Sequence, residues 1–225
     1  MARRPGSEAA RRARGELYRR LVIEAGEIVF AERGFDAAKM QDVAQEAGVS
    51  LGTLYRCFAG KAELYRAIHT LRGEELWARC QAALAPAGPP LENLLAVVGA
   101  YVQYLAEQPP YLRMHLAEGN AWGFGQRFAG RVQAEAWERG HALEVELFRE
   151  GIRQGVFVDR DPSLLVRMMA AAQQVQLAHW VENGMPGGPE QIARDAREHV
   201  VRAFCRERDP GEGERSAQRA EGDRS

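Results

Sequence analysis

Cysteine is scarce in this 225-residue chain, and the three present, Cys57, Cys80 and Cys205, are far apart. That excludes a disulfide framework and a Cys-x-x-Cys metal site, and leaves buried or half-buried thiols as the plain reading. Long apolar runs are missing as well. None approaches the roughly 20 residues that a bilayer span needs. The early arginines at positions 3, 4, 11, 12 and 14 lead into no signal-peptide core, because Leu17 to Ile28 is interrupted by Arg19, Arg20, Glu24 and Glu27. Strand patterning is nearly absent, and its best candidate, Gly155 to Val158, is too short to build a sheet. No Gly-x-Ser-x-Gly elbow, P-loop, dinucleotide glycine pattern or His-Glu-x-x-His is found. His115 and His179 lack metal-ligand spacing. The expectation is a cytoplasmic chain without membrane contact, catalytic residues, cofactor or metal.

What is present is ordinary globular composition, 46% hydrophobic and 27% charged. The net charge of −1 hides an asymmetry. Residues 1–72 hold 13 basic against 9 acidic side chains, and residues 73–205 hold 12 against 16. A basic front on an acidic body suits a protein that presents one end to a polyanion.

Periodicity predicts helix almost throughout. Leu17, Leu21, Ile23, Ile28 and Val29 form a stripe that ends at Gly34. Met40, Val43, Ala44 and Ala47 mark a short helix stopped by Gly48. Ser50 caps a third, with Leu51, Leu54 and Phe58 on its inner side. A fourth runs from about Lys61 to Leu84, where APAGPP breaks it. Further helices are predicted over Leu91–Gln108, Tyr111–Glu118, Phe128–Gln154, Asp161–Asn183 and Glu190–Arg206, and the last 19 residues read as a disordered tail. Glu144, Glu146 and Glu150 read as a solvated face.

The segment Phe30 to Lys61 carries the chemistry. At about 100° per residue, Gly52 and Arg56 fall opposite Leu54 and Phe58, flanked by Thr53 and Tyr55. An exposed glycine inside a helix costs close to 1 kcal/mol, which a close backbone approach to a base edge or phosphate would justify. Arg56 suits a guanine or a phosphate, and Thr53 and Tyr55 suit phosphate oxygens. Lys61 opens the next helix, where a cation hardly helps the dipole, so nearby phosphates would explain it. Two packed helices hinged at Gly48 remain the plain alternative.

AGVSLGTLYRCFAGKAEL, together with Ala31, Gly34, Phe35, Ala37, Asp42, Val43 and Ala44, resembles the DNA-binding domain of the tetracycline-repressor (TetR) family. The likeness is strong from about Leu21 to Ile68. It implies an all-α protein with an N-terminal three-helix helix-turn-helix domain and a helical C-terminal ligand-binding and dimerisation domain. The expected divisions are a basic disordered arm over 1–14, the DNA-binding domain over 15–60, the helical body over 61–206 and the tail over 207–225. The resemblance implies DNA contacts from Lys39, Gln41, Ser50, Leu51, Gly52, Thr53, Tyr55, Arg56 and Lys61. This chain has Ala38 and Lys39 where the family often has Thr or Ser, Gln41 where arginine is frequent, and Cys57 in place of His or Tyr. The arginine-rich arm is then either a plain solvated tail or a source of compensating phosphate contacts.

For the body, the family resemblance implies a homodimer and an interior small-molecule effector. Leu165, Met168, Ala172, Val175 and His179 on one helix, and Ile192, Ala196, His199, Val200 and Ala203 on the next, are the candidate dimer face. Tyr104, Met114, His115, Trp122, Phe128, Trp137, Met169 and Gln173 are candidate ligand contacts, with His115 and Gln173 the polar ones. An apolar or aromatic effector follows. The expected function is a repressor released from a palindromic operator, with an activator or ligand-independent regulator as alternative and a small helical enzyme as a remote one.

Overall fold

The computed structural model describes residues 5–117 and 130–206, with side chains from 9–117 and 138–206. Trp122 and Phe128 lie outside the described residues, as do the side chain of Trp137 and the segment 207–225. Among the described residues the chain forms α1 (Pro5–Ala37), α2 (Met40–Glu46), α3 (Leu51–Cys57), α4 (Lys61–Ala83), α5 (Pro90–Glu107), α6 (Pro109–Ala117), α7 (Gly130–Arg153), α8 (Pro162–Glu182) and α9 (Gly188–Phe204). No described helix is long and apolar enough to cross a membrane. The only β pairing described is one antiparallel bridge, Phe157 to Cys205, so Gly155 to Val158 builds no sheet.

α1 departs from expectation at its start. It begins at Pro5, so residues 5–14, expected as a disordered arm, are helical, and Ala9 to Arg14 are exposed to solvent. The local sequence explains this. Ala, Arg and Glu are strong helix formers, and Pro5 stands at the first helical position, where its missing N–H costs nothing. At the other end Gly34 leaves helical geometry with φ 72°, a conformation that other residues enter with strain, and turns the chain toward α2.

The head consists of α1 to α3 and the first turns of α4. Val22, Val29, Phe30, Val43, Leu54, Phe58, Leu64 and Ile68 close its core. Each such side chain contributes about 1.5–3 kcal/mol by leaving water. In the body, α5 packs against α4, α7 and α9, and α8 packs on α7 and α9. Phe148, Phe157 and Phe204 cluster where the end of α7 meets the end of α9. The break after α4 is tied down by Asn93, whose side-chain amide donates to the Ala85 and Gly88 carbonyls and accepts from the Ala85 N–H. α8 starts as its sequence predicts, with the Asp161 carboxylate accepting from the Leu164 N–H at 2.7 Å.

Head and body meet through α4, which belongs to both, and through α6, which packs on α1. An ion pair between the buried Glu27 and the half-buried Arg72 braces the junction. Arg72 of α4 holds the Glu27 carboxylate of α1 with two N–H bonds, at 2.6 and 2.9 Å. The same guanidinium reaches Glu75 at 2.9 Å, and Glu75 accepts from the Tyr104 hydroxyl of α5 at 2.7 Å. These partners raise the Arg72 pKa above its ordinary value, chiefly through the Glu27 hydrogen bonds.

Candidate nucleic-acid interface and interior site

The turn between α2 and α3 is set by local chemistry. Gly48 sits at φ 63°. The Val49 N–H reaches the Ala44 carbonyl at 3.0 Å and the Gly48 N–H the Gln45 carbonyl at 3.1 Å, which closes α2 with a Schellman motif. One residue on, the Ser50 hydroxyl accepts from the Thr53 N–H at 3.1 Å and opens α3. Leu54 and Phe58 then turn into the head core, which fixes what faces out. Ser50, Gly52, Tyr55 and Arg56 are exposed, and Leu51 and Thr53 are half-buried. A Cβ on Gly52 would find only the Ser50 hydroxyl oxygen, at 3.9 Å, so the backbone there is open to approach. Ser50, Thr53 and Arg56 form a small network: the two hydroxyls lie 2.9 Å apart, and the Arg56 guanidinium donates to the Thr53 hydroxyl at 2.9 Å. This holds the arginine along the outer side of α3.

Lys39 and Gln41 are exposed at the start of α2. The Lys39 ammonium accepts no hydrogen bond, so the usual hydroxyl cap is missing. Asp42 supplies the other half of a capping box, accepting from the Lys39 N–H at 3.2 Å, and is itself paired with Arg33 at 2.6 Å.

Lys61 has a structural role that its sequence position did not suggest. It is half-buried, and two of its three ammonium protons are engaged within the chain. Its Nζ donates to the Asp36 carbonyl at 3.0 Å and the Ala38 carbonyl at 3.1 Å, and lies 4.6 Å from the centre of the Phe35 ring. It pins the turn that leads into α2. Arg19, which the sequence did not single out, has a similar role at the far end of α3. It lies over the Phe58 ring at 4.3 Å and donates to the Cys57 carbonyl at 3.2 Å.

In the body, the candidate ligand residues separate. Met114 and Met169 are buried at 2% and 1% exposure, as core side chains are, and the Tyr104 hydroxyl is taken by Glu75. His115 and Gln173 are different. The Tyr101 hydroxyl lies 2.9 Å from His115 Nε2, while His115 Nδ1 and Gln173 Nε2 are buried with no hydrogen-bond partner among the described residues. Burial lowers the His115 pKa to about 4 and that of His69 to about 3, so both rings are neutral at pH 7. Glu144 on α7 does not lie on a solvated face as expected. Its residue is half-buried and burial pushes its carboxyl up to about 8; burial, and after it the charge of Glu144, raises the pKa of Tyr101 and Cys80.

The candidate dimer residues divide between the inside and the outside. Leu165, Ile192, Ala196 and Val200 are at most 6% exposed within the single chain, which corrects their assignment to a partner-facing surface. Their apolar stripes complete the chain's own core. Met168, Val175, His179 and Ala203 are exposed, and Ala172 and His199 are half-buried. Leu164, Met168 and Val175 form an outward apolar row on α8, and Val201 on α9 is also exposed.

Residues 22–68 match the family model described as bacterial regulatory proteins, tetR family. The transcriptional activator FasR of Mycolicibacterium smegmatis is 30% identical over 182 residues, covering 77% of this chain and 76% of that one. The transcriptional repressor KstR2 of Mycobacterium tuberculosis is 27% identical over 202 residues, covering 86% and 94%. The solved structure of that ketosteroid regulator superposes with a TM-score of 0.72 at 24% identity, over 84% of this chain and 95% of the other. The regulator FadR of Bacillus subtilis, in complex with stearoyl-CoA, gives 0.64 at 19% identity over 80% and 96%. The fold, the capped and exposed α3, and these relatives agree: the chain is a transcription regulator and belongs to the tetR family.

Proposed function

We propose that this regulator binds a palindromic operator as a homodimer in the cytoplasm and lets go when a small effector with an apolar body occupies its interior. The observation that carries the reading is the outer side of α3. Gly52, Tyr55 and Arg56 are presented on a helix whose two ends are fixed by the Gly48 turn, the Ser50 cap and the Arg19 clamp. Lys39, Gln41 and Ser50 flank that side, with Leu51 and Thr53 at its edge. Arg11, Arg12 and Arg14 on the exposed start of α1 add positive charge for phosphate. Two such heads, set about 34–36 Å apart, would meet successive major grooves on one side of the duplex. The outward row of Leu164, Met168 and Val175 is the apolar surface that pairing would cover.

Effector binding is supported by the orphaned polar atoms inside. Among the described residues His115 Nδ1 and Gln173 Nε2 have no partner, at a cost of about 1–3 kcal/mol each that a ligand's hydroxyl or carbonyl would relieve. Relatives named for ketosteroid regulation and for a stearoyl-CoA complex favour an apolar ligand body. The effector must prefer the conformation that does not fit the operator, since equal affinity for both shifts nothing. Selection of duplexes from a randomised pool tests the reading. A palindromic consensus is expected, and recovery of unrelated sequences would contradict it. The relative named as an activator favours activation as the second reading, which reporter output with and without the protein separates.

A further inference from the structure

We propose that His69 and Tyr111 are positioning residues that couple the interior site at His115 to the recognition helix through an unbroken ladder of ring contacts. The inference rests on the reading of His115 as a ligand contact. Its rungs come from four helices. The Tyr101 ring of α5 meets His115 of α6 with centres 6.1 Å apart, and His115 meets Tyr111 at 6.2 Å. Tyr111 meets His69 of α4 at 5.5 Å, and His69 meets Tyr65 at 4.7 Å. Tyr65 then touches Phe30 and Phe35 of α1 edge-on, each at 5.0 Å. Phe35 lies beneath the Lys61 ammonium, which grips the Asp36 and Ala38 carbonyls at the entry to α2.

Two features favour a working link over ordinary packing. Tyr65, His69 and Tyr111 are each at most 4% exposed, and in close-packed surroundings a ring that moves must displace its neighbour. His69 is a costly choice for mere filling. Both of its ring nitrogens are buried with no hydrogen-bond partner among the described residues, where a leucine or phenylalanine would carry no such penalty. An unsatisfied group at the junction of head and body has a partner to gain if the packing shifts, which makes His69 the natural rung to move between two states. A ligand bonded to His115 Nδ1 displaces that ring first. The displacement runs through Tyr111, His69 and Tyr65 to the segment that aims α2 and α3.

Coupling of this kind is reciprocal, so DNA on the head must be felt at His115 without knowledge of the effector. The experiment uses the full-length protein with 15N-labelled histidine and a duplex selected from a randomised pool by the wild-type protein. Imidazole resonances are recorded with and without the duplex. His69 and His115 are both expected to shift on DNA addition. Tyr111→Leu should still bind the duplex but lose the His115 shift, whereas Tyr111→Phe, which keeps the ring, should retain it. His69→Leu tests the neighbouring rung and should also lose the shift. A silent His115 in the wild-type complex, a shift that survives Tyr111→Leu or His69→Leu, or one lost in Tyr111→Phe would each overturn the ladder. Failure to bind any duplex would instead remove the operator reading, so the two failures are separable.

Discussion

Gly52 has open space where a side chain would stand, whereas Lys61 is tied to two backbone carbonyls, so the two respond oppositely to substitution. Gly52→Ala should leave the fold as stable or more stable, by no more than about 1 kcal/mol. It should weaken DNA binding, because the added methyl occupies the approach. Urea unfolding and fluorescence anisotropy with a selected duplex read the two effects separately. Lys61→Met should lower stability by about 1.5–3 kcal/mol through loss of a charged donor to two carbonyls. It should leave the salt dependence of DNA binding unchanged, whereas losing a true phosphate contact would lower the log–log slope by about 0.9. The histidines give a pH prediction. The folded pKa values of His69 and His115, about 3 and about 4, lie below the ordinary 6.5. Their neutral forms therefore contribute stability above pH 6.5 that is lost as pH falls toward 4. Thermal melts between pH 7 and 4.5 should show this loss, and it should be smaller in His69→Leu. At this scale the local devices were legible: the Gly48 turn, the Ser50 cap and the open Gly52 each depend on residues within a few positions. The structural role of Lys61 was missed because its carbonyl partners lie 25 and 23 residues away, and that of Arg19 because Cys57 lies 38 away.

Among the elements, α4 carries the connection between head and body. Glu27 is 4% exposed, so removing its partner strands a buried carboxylate. Arg72→Leu should cost about 3–5 kcal/mol in urea unfolding, and Glu27→Leu combined with Arg72→Leu should recover most of it. Sequence alone could not reach this pair, since the two charges are 45 residues apart and each reads as an ordinary surface residue. Helix existence and ends were largely legible, because Gly34, Gly48, Pro90, Pro109 and Asp161-Pro162 are strong punctuation. Which apolar face looks inward was not. α8 has apolar residues nearly all round. Leu165, Met169 and Leu177 go in, whereas Leu164, Met168 and Val175 stay out, and that choice is made by α5, α7 and α9. α9 has a single apolar stripe, and Ile192, Ala196 and Val200 spend it on the chain's own core. The start of α1 was misjudged for the opposite reason: charge suggested an unstructured arm where helix propensity prevails.

As a whole molecule, the chain divides its labour between a basic head that presents α3 and an acidic helical body whose outer α8 face is left apolar. Val175 is 64% exposed and Met168 47%, an arrangement that a second copy would cover. Val175→Glu should yield monomers in analytical ultracentrifugation without lowering the melting temperature of the single chain. Operator binding should weaken as each head is left with one half-site. Sequence-specific binding by the head is read by anisotropy titration of the wild-type protein against its selected duplex and a scrambled duplex of the same composition, at two salt concentrations. A preference of at least about 10³-fold for the selected sequence is expected at physiological salt, with both affinities falling as salt rises. Equal affinity for the two duplexes at both salt concentrations would contradict it.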